Sequence, residues 1–237
     1  MTNLTANQIS QLQSNGVYSE RPVHPLFTMA DLLAGERTEA ILHAVQTISG
    51  SPNKTVAASY LMRRYGMFTG MQLVQYVLYD EFWNGRPDEF RFGAADEYGN
   101  RTVSTYPAIS GWVEADPEQP RAAVRKLLEE IDQVIGSLRK GAPISANVLW
   151  ENVFGFWLWH FHVMLDDPSS EEQARTVLEL VKSDDVWAGI HDVSRFRLYL
   201  NGRDPSQLLN TTVRTTCCLS KDVPGLMQCG FCPLKKG

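Results

Sequence analysis

The chain has 237 residues, 43% of them hydrophobic and 21% charged, so it can bury a core and is not a disordered polypeptide. Its formal net charge of -5 and its pI of about 5.6 argue against a general nucleic-acid binder, because affinity for phosphate backbones depends on clustered Lys and Arg. Residues 1–14 are polar, and the most apolar stretch, residues 148–165, contains Glu151 and two histidines. We therefore expect no export signal, no membrane span, no nucleic-acid partner and a cytoplasmic location.

The N-terminal part of the chain predicts an irregular arm followed by a helix. The arm covers residues 1–27, which are rich in Asn, Gln, Ser and Gly. From Thr28 onward apolar residues recur at three- and four-residue intervals, which predicts an amphipathic helix interrupted or kinked near Gly35 and ended by Gly50.

The next predicted elements are a long helix and a β-hairpin. Residues 54–83 are largely apolar and lack proline, so we expect one long helix or two helices joined near residues 66–70. Between residues 88 and 107, aromatic and charged residues alternate around a turn at residues 97–100, which predicts a hairpin. A third strand is expected around residues 109–113.

Two further helices are expected after the hairpin. Pro117 and Pro120 open an amphipathic surface helix, since proline is favoured in the first helical turn. Ser145 is a suitable cap for the next helix, residues 146–165, which is apolar nearly all round and is the predicted central core helix. Its tryptophans are expected to pack in the core: Trp150, Trp157 and Trp159.

The body of the protein ends before a distinct C-terminal segment. Residues 169–181 predict another helix, and residues 196–200 predict a strand or a last helical turn. The expected fold class is α+β, predominantly helical, with a small antiparallel sheet and a C-terminal cysteine loop. We divide the chain into the arm, a helical body over residues 28–204, and a cysteine segment over residues 205–237.

The cysteine segment carries every cysteine of the chain, in the spacing Cys-Cys-x10-Cys-x2-Cys. Four thiolates are the ligand set of a tetrahedral Zn²⁺, of a rubredoxin-like single iron, or of an iron-sulfur cluster. Disulfides are disfavoured in a reducing cytosol, and buried unliganded thiols are the remaining structural alternative. The predicted ligands are Cys217, Cys218, Cys229 and Cys232.

The spacing of these cysteines favours a binuclear cluster over zinc. Structural zinc sites usually present two Cys-x2-4-Cys knuckles, whereas this chain has one knuckle and one adjacent pair. Neighbouring side chains diverge, so two irons accommodate the Cys217–Cys218 pair more readily than one small ion does. We therefore expect a [2Fe-2S] cluster, and the spacing leaves open which cysteines share an iron.

The cysteine spacing at the extreme C-terminus resembles the hallmark of the FhuF-like ferric-siderophore reductases. The resemblance extends to Arg214 and Leu219 near the motif, and more weakly to residues 58–68, which include Arg63, and to residues 149–155. The specific part covers about 16 residues, and the residues that match position for position are Cys217, Cys218, Cys229 and Cys232.

The resemblance implies a cytoplasmic enzyme that reduces an Fe(III)-siderophore by one electron through a [2Fe-2S] cluster and releases Fe(II). It implies a ferric siderophore as substrate, most readily a hydroxamate type. The chain has no nucleotide-binding fingerprint of its own, so electrons would come from an external donor such as a ferredoxin or a flavin/NAD(P)H reductase. The alternatives are a zinc-stabilised, non-enzymatic binding module and an iron-sulfur electron carrier or redox sensor. No acid–base catalytic residue is predicted.

Basic residues beside the motif are candidates for tuning the cluster. Positive charge near a four-thiolate centre favours its reduced state, and Arg214 and Lys221 would also steer anionic complexes towards it. Lys235 and Lys236 are further candidates, with solvated terminal charges as the alternative interpretation.

Two other pairs of residues invite a functional interpretation. Arg63 and Arg64 are adjacent on a predicted helix and point to different faces, so one of them could meet an anionic siderophore, with ion pairing on the helix surface as the alternative. His160 and His162 lie two residues apart on a helix and cannot bind one ion from one face, so we expect packed or hydrogen-bonded core histidines.

Overall fold

The structure, a computed structural model, describes residues 4–97, 99–116 and 118–234. It is mostly helical with a small antiparallel sheet, which confirms the predicted α+β class. The sequence explains two long core helices, residues 54–79 and 146–166: they lack proline, and the side chains of Asn53 and Ser145 cap their first turns. The described helices are α1 (Ala6–Gln13), α2 (Met29–Ala34), α3 (Thr38–Ser49), α4 (Lys54–Tyr79), α5 (Pro120–Gly141), α6 (Ala146–Asp166), α7 (Glu171–Lys182), α8 (Asp184–Trp187) and α9 (Arg195–Leu200).

Helices α4 and α6 form the centre of the molecule. Their backbones approach closely at Gly66, where an added Cβ would lie 3.1 Å from Val153 Cα. Trp150 and Trp157 of α6 are fully buried, as expected for a core helix. Trp159 was expected in the core as well, but that prediction is wrong: its side chain is 46% exposed, because it lies on the side of α6 that faces a cleft.

The sheet lies on one side of the helical core. The predicted hairpin is confirmed as β3 paired antiparallel with β4, and its turn includes Tyr98, which lies outside the described residues. The third strand of this sheet is β1, not the segment expected around residues 109–113. That segment contributes β5, which pairs with β2 in a separate two-stranded sheet. The strands are β1 (His24–Thr28), β2 (Glu81–Trp83), β3 (Phe90–Glu97), β4 (Asn100–Pro107) and β5 (Trp112–Glu114).

Several element boundaries differ from the sequence-based expectation. The arm is not irregular, because α1 starts with a capping box in which Thr5 and Gln8 exchange hydrogen bonds, and β1 joins the sheet. The interruption expected near Gly35 is confirmed: α2 and α3 are separated where Gly35 adopts a left-handed φ of 82°. Residues 54–79 form one helix, and residues 196–200 are helical. Pro120 begins α5, and Pro117 lies outside the described residues.

The cysteine segment packs on the helical body without long elements of its own. It contains two short 3-10 turns, Pro205–Gln207 and Ser220–Asp222. Side chains from the arm and from this segment enter the same hydrophobic core as the helices: Leu4, Leu12, Val17, Leu208, Val213, Val223 and Phe231. Within the described parts of the chain, no helix combines the length and the apolar character needed to cross a bilayer.

Candidate cysteine site

The four predicted ligands all lie on the cysteine segment, in two environments. Cys218 and Cys232 are buried, whereas Cys217 and Cys229 are half-buried. Cys218 and Cys229 are in direct contact, with their sulfur atoms 3.7 Å apart. This contact joins the adjacent Cys-Cys pair to the Cys-x2-Cys knuckle across a gap of ten residues in sequence.

The Cys218 and Cys229 thiols are joined by a hydrogen bond and titrate as a coupled pair. The pKa of Cys218 is lowered, first by this hydrogen bond and also because Arg63 and Ser220 stabilise the thiolate. The pKa of Cys229 is raised for the complementary reason, since its proton is held by Cys218 and burial disfavours a second negative charge. The pair therefore loses one proton readily, and a bound cation is what would displace the second.

The sulfur separation also matches the geometry of a metal–thiolate site. In a tetrahedral site with metal–sulfur bonds of about 2.3 Å, two ligand sulfurs lie about 3.8 Å apart. The sulfurs of Cys218 and Cys229 are separated by nearly this distance, so the two cysteines could bind the same metal ion. Within residues 4–97, 99–116 and 118–234, no three His, Cys, Asp or Glu side chains are grouped as a complete metal-ion site, so the structure brings two of the four sulfurs together.

The other two cysteines lie near Lys221. The pKa of Lys221 is raised, first by its hydrogen bond and ion pair with Asp222 and then by the negative charges of Cys217 and Cys232. Cys217 accepts a hydrogen bond from the backbone N–H of Leu219, at 3.4 Å. Because Cys217 and Cys218 have different partners, the adjacent side chains diverge, as their adjacency predicts.

A buried carboxylate holds the chain immediately before the first cysteine. Both oxygens of Glu151, on α6, accept hydrogen bonds from Thr215 and Thr216. Each threonine contributes its backbone N–H and its hydroxyl, at distances of 2.5 to 3.1 Å. Glu151 is 3% exposed, so these four bonds replace the water that its charge would otherwise require. They fix the path of the backbone into Cys217.

Arg214 completes this connection and is not a surface residue. Its guanidinium donates to the carbonyl of Glu151 at 2.8 Å and to Oδ1 of Asn152 at 2.8 Å. Asn152 donates in turn to Ser59 of α4, whose hydroxyl donates to the carbonyl of Cys218 at 2.7 Å. Only 1% of the Arg214 side chain is exposed, and Glu151 lies 3.7 Å away. The predicted steering role of Arg214 is therefore wrong, because its charge is buried and paired.

The remaining residues singled out from the sequence are two histidines and two lysines. His160 is buried, and burial lowers its pKa to about 4, as expected for a packed core histidine. His162 Nδ1 lies 3.0 Å from the carbonyl oxygen of Ser206. Lys235 and Lys236 lie outside the described residues. The four hydrogen bonds of Glu151 with Thr215 and Thr216 form what we call the Glu151 clamp. The sequence did not predict this clamp, since nothing in the residues around Glu151 shows that α6 meets residues 215 and 216.

Two comparisons with known proteins were made, and neither gives a match. A scan against protein-family models matches no family, and a search of curated proteins finds no significant match. Assignment of function therefore depends on the geometry and chemistry of the site.

Proposed function

We propose that this protein is a ferric-siderophore reductase. The observation that carries the proposal is the Cys218–Cys229 pair, with sulfurs 3.7 Å apart beside an open cleft. Thiolate sulfur is the ligand that iron-sulfur clusters and zinc prefer, and the adjacent pair with a single knuckle favours the cluster. The substrate class comes from the resemblance to the FhuF-like reductases. The proposed ligands of a [2Fe-2S] cluster are Cys217, Cys218, Cys229 and Cys232.

The positions of the weaker resemblance support this proposal. Residues 58–68 lie in α4 and residues 149–155 lie in α6, far apart in sequence. Each stretch supplies groups that bind the cysteine segment: Ser59 from the first, and Glu151 and Asn152 from the second. Similarity at these places is what a shared cysteine site would require, because they determine where its backbone runs.

The chemistry needs one electron and no acid–base residue. A bound [2Fe-2S] cluster would supply one electron, received from an external donor such as a ferredoxin or a flavin/NAD(P)H reductase. The ferric ion of the siderophore gains that electron and becomes Fe(II), which hard oxygen ligands hold less tightly. No covalent bond forms between protein and substrate, so we assign the side chains to binding and positioning.

Different side chains of the protein would position the cluster and leave room for the substrate. Cys217 and Cys229 are half-buried, so they would give a bound cluster its contact with solvent and with a bulky substrate. Cys218 and Cys232 are buried and would hold the cluster where water is excluded. The charges of Arg63 and Lys221 act on the cysteines and offset the negative charge that four thiolates accumulate. The Leu219 N–H stabilises the thiolate of Cys217.

The proposal is tested by single-turnover electron transfer. Protein purified without oxygen is reduced by one electron and mixed with ferric siderophores, while a ferrous chelator traps the product. We expect reoxidation with one Fe(II) per electron, faster than with ferric citrate, and no transfer by the Cys229→Ser variant. If no ferric siderophore outpaces ferric citrate, the protein is an electron carrier or redox sensor. If the protein holds zinc without sulfide, it is a zinc-stabilised binding module.

A further inference from the structure

The cleft beside Cys229 contains an arginine, Arg63, that forms no ion pair with a carboxylate among the described residues. The cleft has a volume of about 300 Å³ and is lined by residues of α4, α6 and the cysteine segment. Two arginines line it, and none of its described lining residues is Asp or Glu. The residues that matter for recognition are Arg63, Phe156, Trp159 and Cys229.

Three arginines near the site are used in different ways. Arg64 forms an ion pair with Glu97 at 2.7 Å and also donates to Ser104. Arg214 is buried against Glu151 and Asn152, so its charge is neutralised inside the protein. Among the described residues, Arg63 has no carboxylate within 4 Å and makes no hydrogen bond, although it is half-buried. Its donors are therefore available to a ligand.

The rest of the cleft offers aromatic surfaces to that ligand. The guanidinium carbon of Arg63 lies 5.5 Å from the centre of the Phe156 ring, a cation–π arrangement that fixes its position. Trp159 is 46% exposed at the same cleft, which is unusual on a helix whose other two tryptophans are fully buried. A flat aromatic group can stack on such rings while its negative charge meets the guanidinium.

We infer that this cleft binds ferric complexes of net negative charge whose chelating groups are planar aromatic rings, the catecholate class, with Arg63 as the anion-binding residue. The inference rests on the proposed function and names its substrate class. A tris-catecholate complex of a trivalent metal carries three negative charges, whereas a simple tris-hydroxamate complex is neutral. The Arg63 guanidinium, whose donors have no partner in the described protein, therefore favours catecholates over the hydroxamates that the resemblance implies. A cleft of about 300 Å³ admits one chelating arm, which keeps the metal beside Cys229.

Binding can be measured apart from electron transfer by using gallium(III), which forms the same complexes as iron(III) but is not reduced. Isothermal titration of the cluster-loaded protein compares a gallium tris-catecholate with a neutral gallium tris-hydroxamate. The variants are Arg63→Gln, which removes the charge, and Arg63→Lys, which keeps it. Arg121→Gln is the matched control, because it changes the net charge equally on an exposed side chain outside the cleft.

We expect the unmodified protein to bind the catecholate complex at least about tenfold more tightly than the hydroxamate complex. Arg63→Gln should abolish this preference, Arg63→Lys should keep part of it, and Arg121→Gln should keep all of it. The preference should also shrink at high salt, because screening weakens attraction at a partly exposed charge. Equal affinity for both complexes, or equal weakening of both by Arg63→Gln, would overturn the inference while leaving reduction intact. Binding of the catecholate complexes with no electron transfer to their iron forms would instead refute the reductase.

Discussion

The α4–α6 helix pair and the cysteine segment lie against each other, yet they are stabilised in different ways. At the helix pair, close backbone contact at Gly66 and buried rings such as Trp157 spread the stabilisation over many apolar contacts. In the cysteine segment, hydrogen bonds converge on the buried Glu151 and Arg214. Apolar packing is non-directional and tolerates single losses, whereas a buried polar network fails when one member is removed. The body should therefore survive changes that release the cysteines.

The largest expected effect is the loss of the Glu151 clamp. Glu151→Leu leaves the Arg214 charge buried without its carboxylate and leaves the amides of Thr215 and Thr216 without acceptors. We expect a loss of about 3–5 kcal/mol in the free energy of unfolding, together with loss of bound metal. Urea unfolding and metal analysis measure the two effects. The control Glu129→Leu changes an exposed surface carboxylate and should shift stability by less than about 0.5 kcal/mol. Equal effects of the two variants would contradict the clamp.

The next largest effect is a pH dependence of the protein's stability that arises from the buried His160. His160 has a folded-state pKa of about 4 against an ordinary value of 6.5, so between these pH values the unfolded chain binds a proton that the folded protein does not. Stability should be complete above pH 6.5 and fall by up to about 3 kcal/mol as the pH drops towards 4. Subtracting the unfolding curve of His160→Gln isolates this contribution. A difference that stays constant from pH 7 to pH 4 would show that His160 is not buried in its neutral form.

A smaller loss of stability is expected when the close contact between α4 and α6 is disturbed at Gly66. In Gly66→Ala, the new methyl group would lie 3.1 Å from Val153 Cα. The methyl group is attached to the backbone of α4 and Val153 Cα belongs to the backbone of α6, so neither atom can move away without shifting a helix. We expect destabilisation by about 1–3 kcal/mol. Gly136→Ala is the control, because its methyl group meets nothing within 4 Å on the exposed side of α5 and should stabilise by about 0.5–1 kcal/mol. Thermal unfolding distinguishes the opposite signs, and stabilisation by both changes would mean that helix propensity, not packing, dominates.

The smallest effect on folding should come from the cysteines themselves. Cys229→Ser and Cys232→Ser should change the unfolding free energy of the metal-free protein by less than about 1 kcal/mol, since the helical core does not depend on them. The same variants should lose or grossly alter the cluster. Circular dichroism and iron content separate the two outcomes. Native cluster spectra in Ser variants of all four cysteines would show that the ligand assignment is wrong.

Local patterns predicted much of the fold. Apolar periodicity located α5 and α6, and the helix cap at Ser145 is visible in the sequence. Helix α1 was missed because its composition is polar, although the spacing of Thr5 and Gln8 is that of a capping box. The partner of β5 could not be predicted, since strand pairing between distant segments depends on how the helices place them.

The candidate site was predictable in its chemistry but not in its geometry. Four clustered cysteines identify the ligands, whereas the contact of Cys218 with Cys229 depends on the turn between them. Arg214 looked like a surface charge because its buried partners, Glu151 and Asn152, are more than 60 residues away in sequence. Arg63 and Arg64 are adjacent and alike, and only tertiary structure decides which of them is left for a ligand.

The presence of a [2Fe-2S] cluster is tested most directly by the metal and acid-labile sulfide content of protein purified without oxygen. We expect two iron atoms and two sulfides per chain, bleaching by dithionite, and the electron-paramagnetic signal of a reduced binuclear cluster. We also expect Glu151→Leu to lower this content and Glu129→Leu to leave it unchanged. Stoichiometric zinc without sulfide, or a protein free of metal with four titratable thiols, would contradict the presence of the cluster.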